Sequence, residues 1–472
     1  MASAAQYGSV LPAHVDDPFK KATSGATTSS GMHVLLWARV VAGGSAIALG
    51  TSWGGFGGVG MLMQKDLEVS TAFMSFVTSV MYVLIPFGSL VAGSLADLYG
   101  RLPIVVASYV GISLGLLILA ASSHPAMILV GRIIESLGTG LGLASTATYI
   151  SELAPANIRG SFTAMEETFM SVGIILGYIL NRVFVNVAHG WRWALLAGAV
   201  TPALMTVLVA LGLCPESPRF YHLTGQESKA IEVLHKLVSQ AEAQKVLESW
   251  SSEDEKVKRV GWSSILWPSS TQEARALRTG ICVMAIQMLS GIVLIGVYTG
   301  RIFDADTTIE QAFGGQIVVG LLRLAGSVLA LLCVESAGRR NLLLISSVGM
   351  ALGYAACVGV YLAGLSVLPW KLLALSACAV MFEVGVGPVP FVYSAEVLPT
   401  ALRSKGMAAA LAISRWIAAG QLLFFPMFSD AFGYGPSFSV GMVSMLMCTI
   451  YIYIAVPETK GVELEDMPDI FK

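Results

Sequence analysis

The 472-residue sequence predicts an all-α integral membrane protein of twelve helices, arranged as two six-helix halves joined by a small helical linker. Three observations predict it. The chain is 55% hydrophobic and only 12% charged, with a mean hydropathy of +0.73, whereas a soluble globular domain carries about 25% charged residues. No water-soluble core hides that much apolar surface, so the excess must face lipid. A spanning helix needs about 20 mostly apolar residues, and the chain offers twelve such runs. Finally, TYISELAPANIRG at Thr148–Gly160 returns as FVYSAEVLPTALRSKG at Phe391–Gly406. Both copies place a proline three residues and an arginine seven residues after a glutamate: Glu152, Pro155, Arg159, then Glu396, Pro399, Arg403. The offset, 396 − 152 = 244, is about half the chain, which predicts one membrane bundle duplicated in tandem.

Residues 1–31 are rich in Ser, Ala, Thr and Gly and lack a basic start followed by an apolar core, so they read as a disordered tail and not a cleavable signal. The first half, 32–214, holds runs near Leu35–Met63, Phe73–Ala96, Pro103–Ser122, Ala126–Ser151, Phe162–Phe184 and Trp191–Cys214. Residues 215–278 turn polar and mixed-charge, with AIEVLHKLVSQAEAQKVL reading as an amphipathic surface helix. The second half, 279–456, holds runs near Gly280–Phe303, Ala312–Val334, Asn341–Leu365, Pro369–Ala395, Ala401–Phe428 and Pro436–Val456, and an acidic tail, 457–472, closes the chain. Lys and Arg gather between spans 2 and 3, 4 and 5, 6 and 7, 8 and 9, and 10 and 11. The positive-inside rule therefore puts those loops and both termini in the cytoplasm. The plasma membrane is the expected location, and nothing signals retrieval to the endoplasmic reticulum.

A second repeat supports the first. GSLADLYGR (Gly93–Arg101) follows span 2 and VESAGRR (Val334–Arg340) follows span 8, with 335 − 97 = 238 residues between their acids. Gly100 and Gly338 make turns that set Asp97 near Arg101 and Glu335 near Arg339 and Arg340. Such pairs suit a cytoplasmic gate that opens when the halves rock.

The net charge of −2 and the absence of a basic stripe argue against nucleic acid as a partner; the lipid bilayer and a small-molecule solute are the partners expected, with the chain monomeric. Six cysteines, scattered through apolar runs without metal or disulfide spacing, read as packing residues, and no cofactor or metal is implied. No histidine lies deep in a span, the lone GxSxG string (Gly111–Gly115) falls in the middle of an apolar run, and no HExxH occurs, so an enzyme is not expected.

The chain resembles the sugar porters of the major facilitator superfamily over nearly its whole length, on DLYGR, GRIIESLGTG (Gly131–Gly140), YISELAPANIRG, PESPRF (Pro215–Phe220), QMLSG (Gln287–Gly291), VESAGRR, FEVGVGP (Phe382–Pro388) and PETKG (Pro457–Gly461). PETKG, VESAGRR and FEVGVGP together most resemble the facilitative hexose carriers of animals. The resemblance implies a twelve-helix major facilitator fold and alternating access of two halves around a midplane site. It implies gate charges at Asp97, Arg101, Arg132, Glu152, Arg159, Glu216 and Arg219 in the first half, and Glu335, Arg339, Arg340, Glu396, Arg403 and Glu458 in the second.

Ring hydroxyls are best met by amides, which donate and accept, and by an aromatic face. Here the family's amide positions are largely replaced. Glu167 stands in span 5, Met288 and Val293 follow the retained Gln287 in span 7, Arg323 stands in span 8, Phe391 replaces a tryptophan in span 10, and Arg415 precedes the retained Trp416 in span 11. Glu383 matches a family glutamate and is expected to hydrogen-bond near the Gly385 and Pro388 break, where freed backbone groups need partners. Arg323 and Arg415 each lie twelve residues from a gate charge, Glu335 and Arg403, or roughly 18 Å along a helix. Buried ionisable residues inside spans face the bundle interior or water. Two arrangements follow: Glu167 pairs across the cavity with an arginine and the neutralised site takes a hexose or polyol, or one arginine stays free to clamp an organic anion or zwitterion.

Proton-linked members of the family carry an aspartate in span 1, where this chain has Phe56, so a passive uniporter is expected. Glu135, Glu166 and Glu167 are the carboxylates that could otherwise carry a proton, Glu135 being read first as a partner of Arg132 at the cytoplasmic end of span 4. A nutrient sensor that kept the fold without turnover is the remaining alternative.

Overall fold

The computed structural model describes residues 29–153, 159–212, 214–238, 243–244, 246–247, 250, 263–268, 270–305, 307–365, 367–398, 402–460, 462, 467 and 470. Among them, twelve helices are long and apolar enough to cross a membrane, and no strand occurs. Spans 1–6 are His33–Asp66, Thr71–Tyr99, Arg101–Ala121, Pro125–Leu153, Met165–Phe184 and Gly190–Ala210. Spans 7–12 are Thr271–Asp304, Ile309–Ala330, Arg339–Leu362, Leu368–Val397, Lys405–Phe432 and Tyr434–Ala455. The predicted tail to residue 28 lies outside the described residues. Short helices at Pro218–Leu223 and Glu227–Leu237 lie in the linker, the second burying Ala230, Val233, Leu234 and Leu237 on one face.

Span 7 begins earlier than its apolar run. Ser270 caps it by accepting from the Glu273 N–H at 3.1 Å, so two polar turns continue the helix out of the apolar region and shorten the linker. Span 8 starts on a capping box between Thr308 and Gln311.

Helix pairing repeats between the halves. Span 1 packs on 5, 2 on 4, 3 on 4 and 3 on 6, and correspondingly span 7 packs on 11, 8 on 10, 9 on 10 and 9 on 12. Between halves, span 2 meets 11, span 5 meets 8, and span 1 meets 7. A pseudo-twofold relation that exchanges span n with n + 6 maps each of these contacts onto another. Spans 1 and 5 approach closely because they face each other with glycines: a Cβ on Gly54 would lie 2.4 Å from the Ile174 carbonyl oxygen, and one on Gly177 would lie 2.4 Å from the Gly55 nitrogen. Outward faces carry large apolar side chains such as Leu352, Met447 and Ile454, each at least 66% exposed. So many large apolar side chains on the outward faces make a surface suited to lipid.

Two spans are broken. Span 7 turns at Gly291, whose φ of +72° suits glycine, and resumes at Ile292. Span 10 passes through a π-helical turn at Phe382–Val386 before resuming at Val389. Ser346 of span 9 accepts from the Val386 N–H at 2.9 Å and donates to the Met381 carbonyl, while Gln287 Nε2 donates to the Gly387 carbonyl at 2.7 Å. The freed backbone is thus served by Ser346 and Gln287. Glu383, expected to do this, turns instead to Arg323.

Candidate functional site

A cavity lies between the halves, with about 550 Å³ of empty space counting its opening to solvent. The first half supplies Trp53, Tyr82, Glu167, Met170 and Tyr178; the second supplies Gln287, Met288, Val293, Arg323, Phe382, Phe391 and Arg415. Seven of the nine residues expected at the site therefore meet in one place. Glu383 sits behind the wall, fully buried, and touches the cavity only through Arg323. Trp416 does not line it. That side chain is 47% exposed, packs at 6.4 Å from Phe87, and donates to the Val83 carbonyl, so it joins spans 11 and 2 outside the cavity.

The charges are unevenly shared. Arg323 donates from Nε to Glu383 Oε1, and its Nη2 lies 3.5 Å from Glu167 Oε1 in the other half. The Phe382 ring lies 5.5 Å from the same guanidinium. Both arginines sit well inside the bundle, as their depth in the sequence predicts, and neither snorkels to an interface. Arg415 has no carboxylate within 4.0 Å among the described residues; it donates to Met288 Sδ at 3.5 Å and lies 5.5 Å from the Trp53 ring. Gln287 Oε1 is buried and unpartnered. The two sequence-derived arrangements thus coexist, because Glu167 pairs with Arg323 while Arg415 stays free.

Trp53, Tyr82 and Tyr178 were not foreseen. Tyr178 had a signal, standing eleven residues, or three helical turns, after Glu167 and so on the same face of span 5. Its hydroxyl donates to the Gly296 carbonyl at 2.9 Å across the halves.

The charges at the helix ends form two matching clusters. In the first, Arg101 grips Glu152 with Nε at 2.9 Å and Nη2 at 3.0 Å, and reaches Asp97 at 2.9 Å. Glu216 accepts the N–H groups of Arg101 and Leu102, each at 3.1 Å, and so caps span 3. Ser217 donates to Glu152. In the second, Arg339 holds Glu396 at 2.9 Å, Glu458 accepts the N–H groups of Arg339 and Arg340 at 2.8 and 3.1 Å, and Thr459 donates to Glu396 at 2.7 Å. PES at 215–217 and PET at 457–459 are therefore a third copy of the internal repeat, one that the sequence reading did not pair.

The expected gate charges gather mainly in these two clusters. Each joins helices of one half, and among the described residues neither bridges to the other half. Arg340 serves a different purpose, donating to the Tyr453 carbonyl at 2.7 Å. Arg219 lies 5.8 Å from the Trp250 ring, and Arg403 donates to the Leu398 carbonyl. The side chains of Arg159 and Glu335 lie outside the described residues. Besides Arg323 with Glu167 in the cavity, ion pairs between halves sit at the opposite end of the spans, Lys65 with Asp304 at 3.8 Å and Arg182 with Glu310 at 3.1 Å. Burial holds the Glu216 carboxyl above its ordinary range against the pull of its N–H donors and Arg101.

The caps explain the glycines. Gly100 and Gly338 have φ of +105° and +83°, and a Cβ there would lie 2.6 Å from Glu216 Oε2 and 2.7 Å from Glu458 Oε2. Gly338→Ala is expected to cost about 1–3 kcal/mol from backbone strain, with the displaced carboxylate adding to that. Thermal unfolding of the purified protein in detergent reads it, and an unchanged midpoint would contradict the capping role.

Arg132 is also relocated. It pairs with Glu135 at 2.8 Å, with Ser52 donating to the same carboxylate, and its guanidinium lies 3.7 Å above the Phe56 ring. Neighbouring Gly131 packs against Leu119. Span 3 begins at Arg101 and Leu119 stands 119 − 101 = 18 residues further on, roughly 27 Å away. Arg132 and Glu135 therefore lie near the end opposite the Arg101 cluster, against the expectation that they sit at the same end.

A family model described as "Sugar (and other) transporter" matches residues 17–471. Probable polyol transporter 6 of Arabidopsis thaliana is 28% identical over 467 residues, covering 93% of this chain and 94% of its own. The arabinose-proton symporter of Bacillus subtilis is 29% identical over 429 residues, with 88% and 90% covered. Among solved structures, the proton:xylose symporter XylE bound to 6-bromo-6-deoxy-D-glucose superposes with a TM-score of 0.79 at 21% identity, over 94% of this chain and 100% of that one, a likeness of fold.

Proposed function

Because the chain belongs to the sugar porter family of the major facilitator superfamily, a family of membrane transporters and not enzymes, we propose that it moves a hexose or polyol by alternating access of its two halves. The observation that carries this is the cavity between the halves. It combines aromatic faces from Trp53, Tyr82 and Phe391 with the polar atoms of Glu167, Gln287 and Arg415, the mixture a hydroxylated solute needs. Contact between Glu167 of span 5 and Arg323 of span 8 lies directly across the two halves, so a solute that engages either group alters what holds them together.

We read the carrier as a uniporter with the Arg101 and Arg339 clusters at the cytoplasmic side, both termini cytoplasmic, in the plasma membrane. Arginine-rich connections at that end support the orientation. The Phe56 ring occupies the place over Arg132 where proton-linked members carry an acid, which supports passive exchange. Purified protein in liposomes is expected to show counterflow of labelled hexose or hexitol that persists when a proton ionophore is added. Binding without counterflow would favour a sensor. Flux that collapses with the proton gradient would reject uniport and point to Glu135 or Glu167.

A further inference from the structure

We propose that the cavity takes a sugar acid, a polyhydroxylated monocarboxylate, with Arg415 holding the carboxylate; this rests on the carrier reading and narrows its substrate. The ion-pair pattern is the reason. Two carboxylates, Glu383 and Glu167, share Arg323, whereas Arg415 lines the same cavity with no carboxylate within 4.0 Å among the described residues. It is only 3% exposed, and among the described residues its Nε has no partner and the guanidinium's one hydrogen bond goes to the weakly accepting Met288 sulfur. A buried guanidinium carries five donors in a planar fork, and a carboxylate satisfies two of them while supplying the missing charge. A neutral hydroxyl satisfies one and leaves the charge.

The remaining polar atoms fit the rest of such a molecule. Gln287 Oε1 is a buried acceptor with no donor, and Glu167, which accepts only, is held by Arg323 at the long distance of 3.5 Å. Both call for hydroxyl donors. Trp53 and Tyr82, with rings 5.9 Å apart, provide apolar faces for carbon-bound hydrogens beside Arg415. An acidic head on Arg415 and a hydroxylated body on Glu167 and Gln287 use Arg415 Nε and Gln287 Oε1, two of the buried unpartnered polar atoms on the lining residues, and leave the Trp53 Nε1 donor for a further hydroxyl.

The charge balance gives a second signature. Glu167, Glu383, Arg323 and Arg415 sum to zero, so a bound monocarboxylate makes the loaded cavity singly negative. Its movement by uniport is then electrogenic, whereas that of a neutral polyol is not.

The test uses the full chain in liposomes, with sorbitol as the neutral probe and gluconate as the acid. In the unaltered protein gluconate is expected to inhibit sorbitol counterflow and to exchange itself. Its entry should rise several-fold when a potassium diffusion potential makes the interior positive, with sorbitol entry unmoved. Arg415→Gln is expected to lower the ratio of gluconate to sorbitol flux at least tenfold, and Arg415→Lys less. Sorbitol exchange with no effect of gluconate would overturn the inference and leave the carrier reading standing. So would an unchanged ratio in Arg415→Gln, gluconate entry indifferent to potential, or preference for a zwitterionic amino acid over gluconate. If neither probe binds nor moves, the hexose or polyol reading fails and this inference with it.

Discussion

Arg323→Gln is expected to lower stability by about 3–5 kcal/mol, the cost of removing one partner from a buried ion pair. Glu383 is fully buried, with Oε1 held by Arg323 and Oε2 without a partner. Glutamine is shorter and uncharged, so it leaves Glu383 with a charge that neither water nor another cation in contact can meet. The loss should appear as a large drop in the midpoint of thermal unfolding in detergent. Arg323→Gln with Glu383→Gln is expected to recover most of it, because the fully buried charge at Glu383 is gone and the carboxylate left without Arg323, Glu167, lines the cavity. That double variant also separates folding from transport. It retains Glu167 and Arg415 but loses the Glu167–Arg323 ion pair between spans 5 and 8, so its flux tests whether the bridge matters to the cycle. A midpoint in Arg323→Gln equal to the parent would show that the bridge is not holding Glu383 in its charged form.

Much of this architecture was legible because the bilayer leaves few choices. A chain of 55% apolar residues must satisfy its backbone inside helices, and a repeat at half length fixes two bundles. Seven cavity residues were found from positions within spans, since helical depth and family register together say which side chain reaches the midplane. Two kinds of information stayed hidden. Partner choice is one: nothing in sequence spacing says that Glu383 turns to Arg323 in preference to the backbone, because that depends on Ser346 and Gln287 having already served the span 10 break. Rotation about a helix axis is the other. Trp416 follows Arg415 by one residue, about 100° around the helix, and that turn takes it out of the cavity. The repeat put acids and arginines at matching helix ends, but a repeat gives the same pattern whether a cluster ties helices within a half or ties the halves together.

Additivity distinguishes those two possibilities. Arg101→Ala is expected to cost about 3–5 kcal/mol, since Arg101 and Glu152 are 3% and 9% exposed and, among the described residues, the acid would keep only Ser217 as partner. Arg339→Ala should cost less, about 1–2 kcal/mol, because Arg339 and Glu396 are 20% and 21% exposed and solvent screens what is left behind. Asp97→Asn should cost no more than about 1 kcal/mol, as its carboxylate is 63% exposed. The two arginines share no partner and sit in different halves, so the double variant should lose the sum of the single losses to within about 0.5 kcal/mol. Clusters that locked the halves against each other would behave otherwise. The first substitution would already release the lock, and the second would cost much less than it does alone. A shortfall above about 1 kcal/mol in the double variant would therefore restore the interdomain gate. An additive result leaves each cluster as the clasp of its own bundle, which keeps spans 2, 3 and 4, and their counterparts, moving as one body when the cavity changes sides.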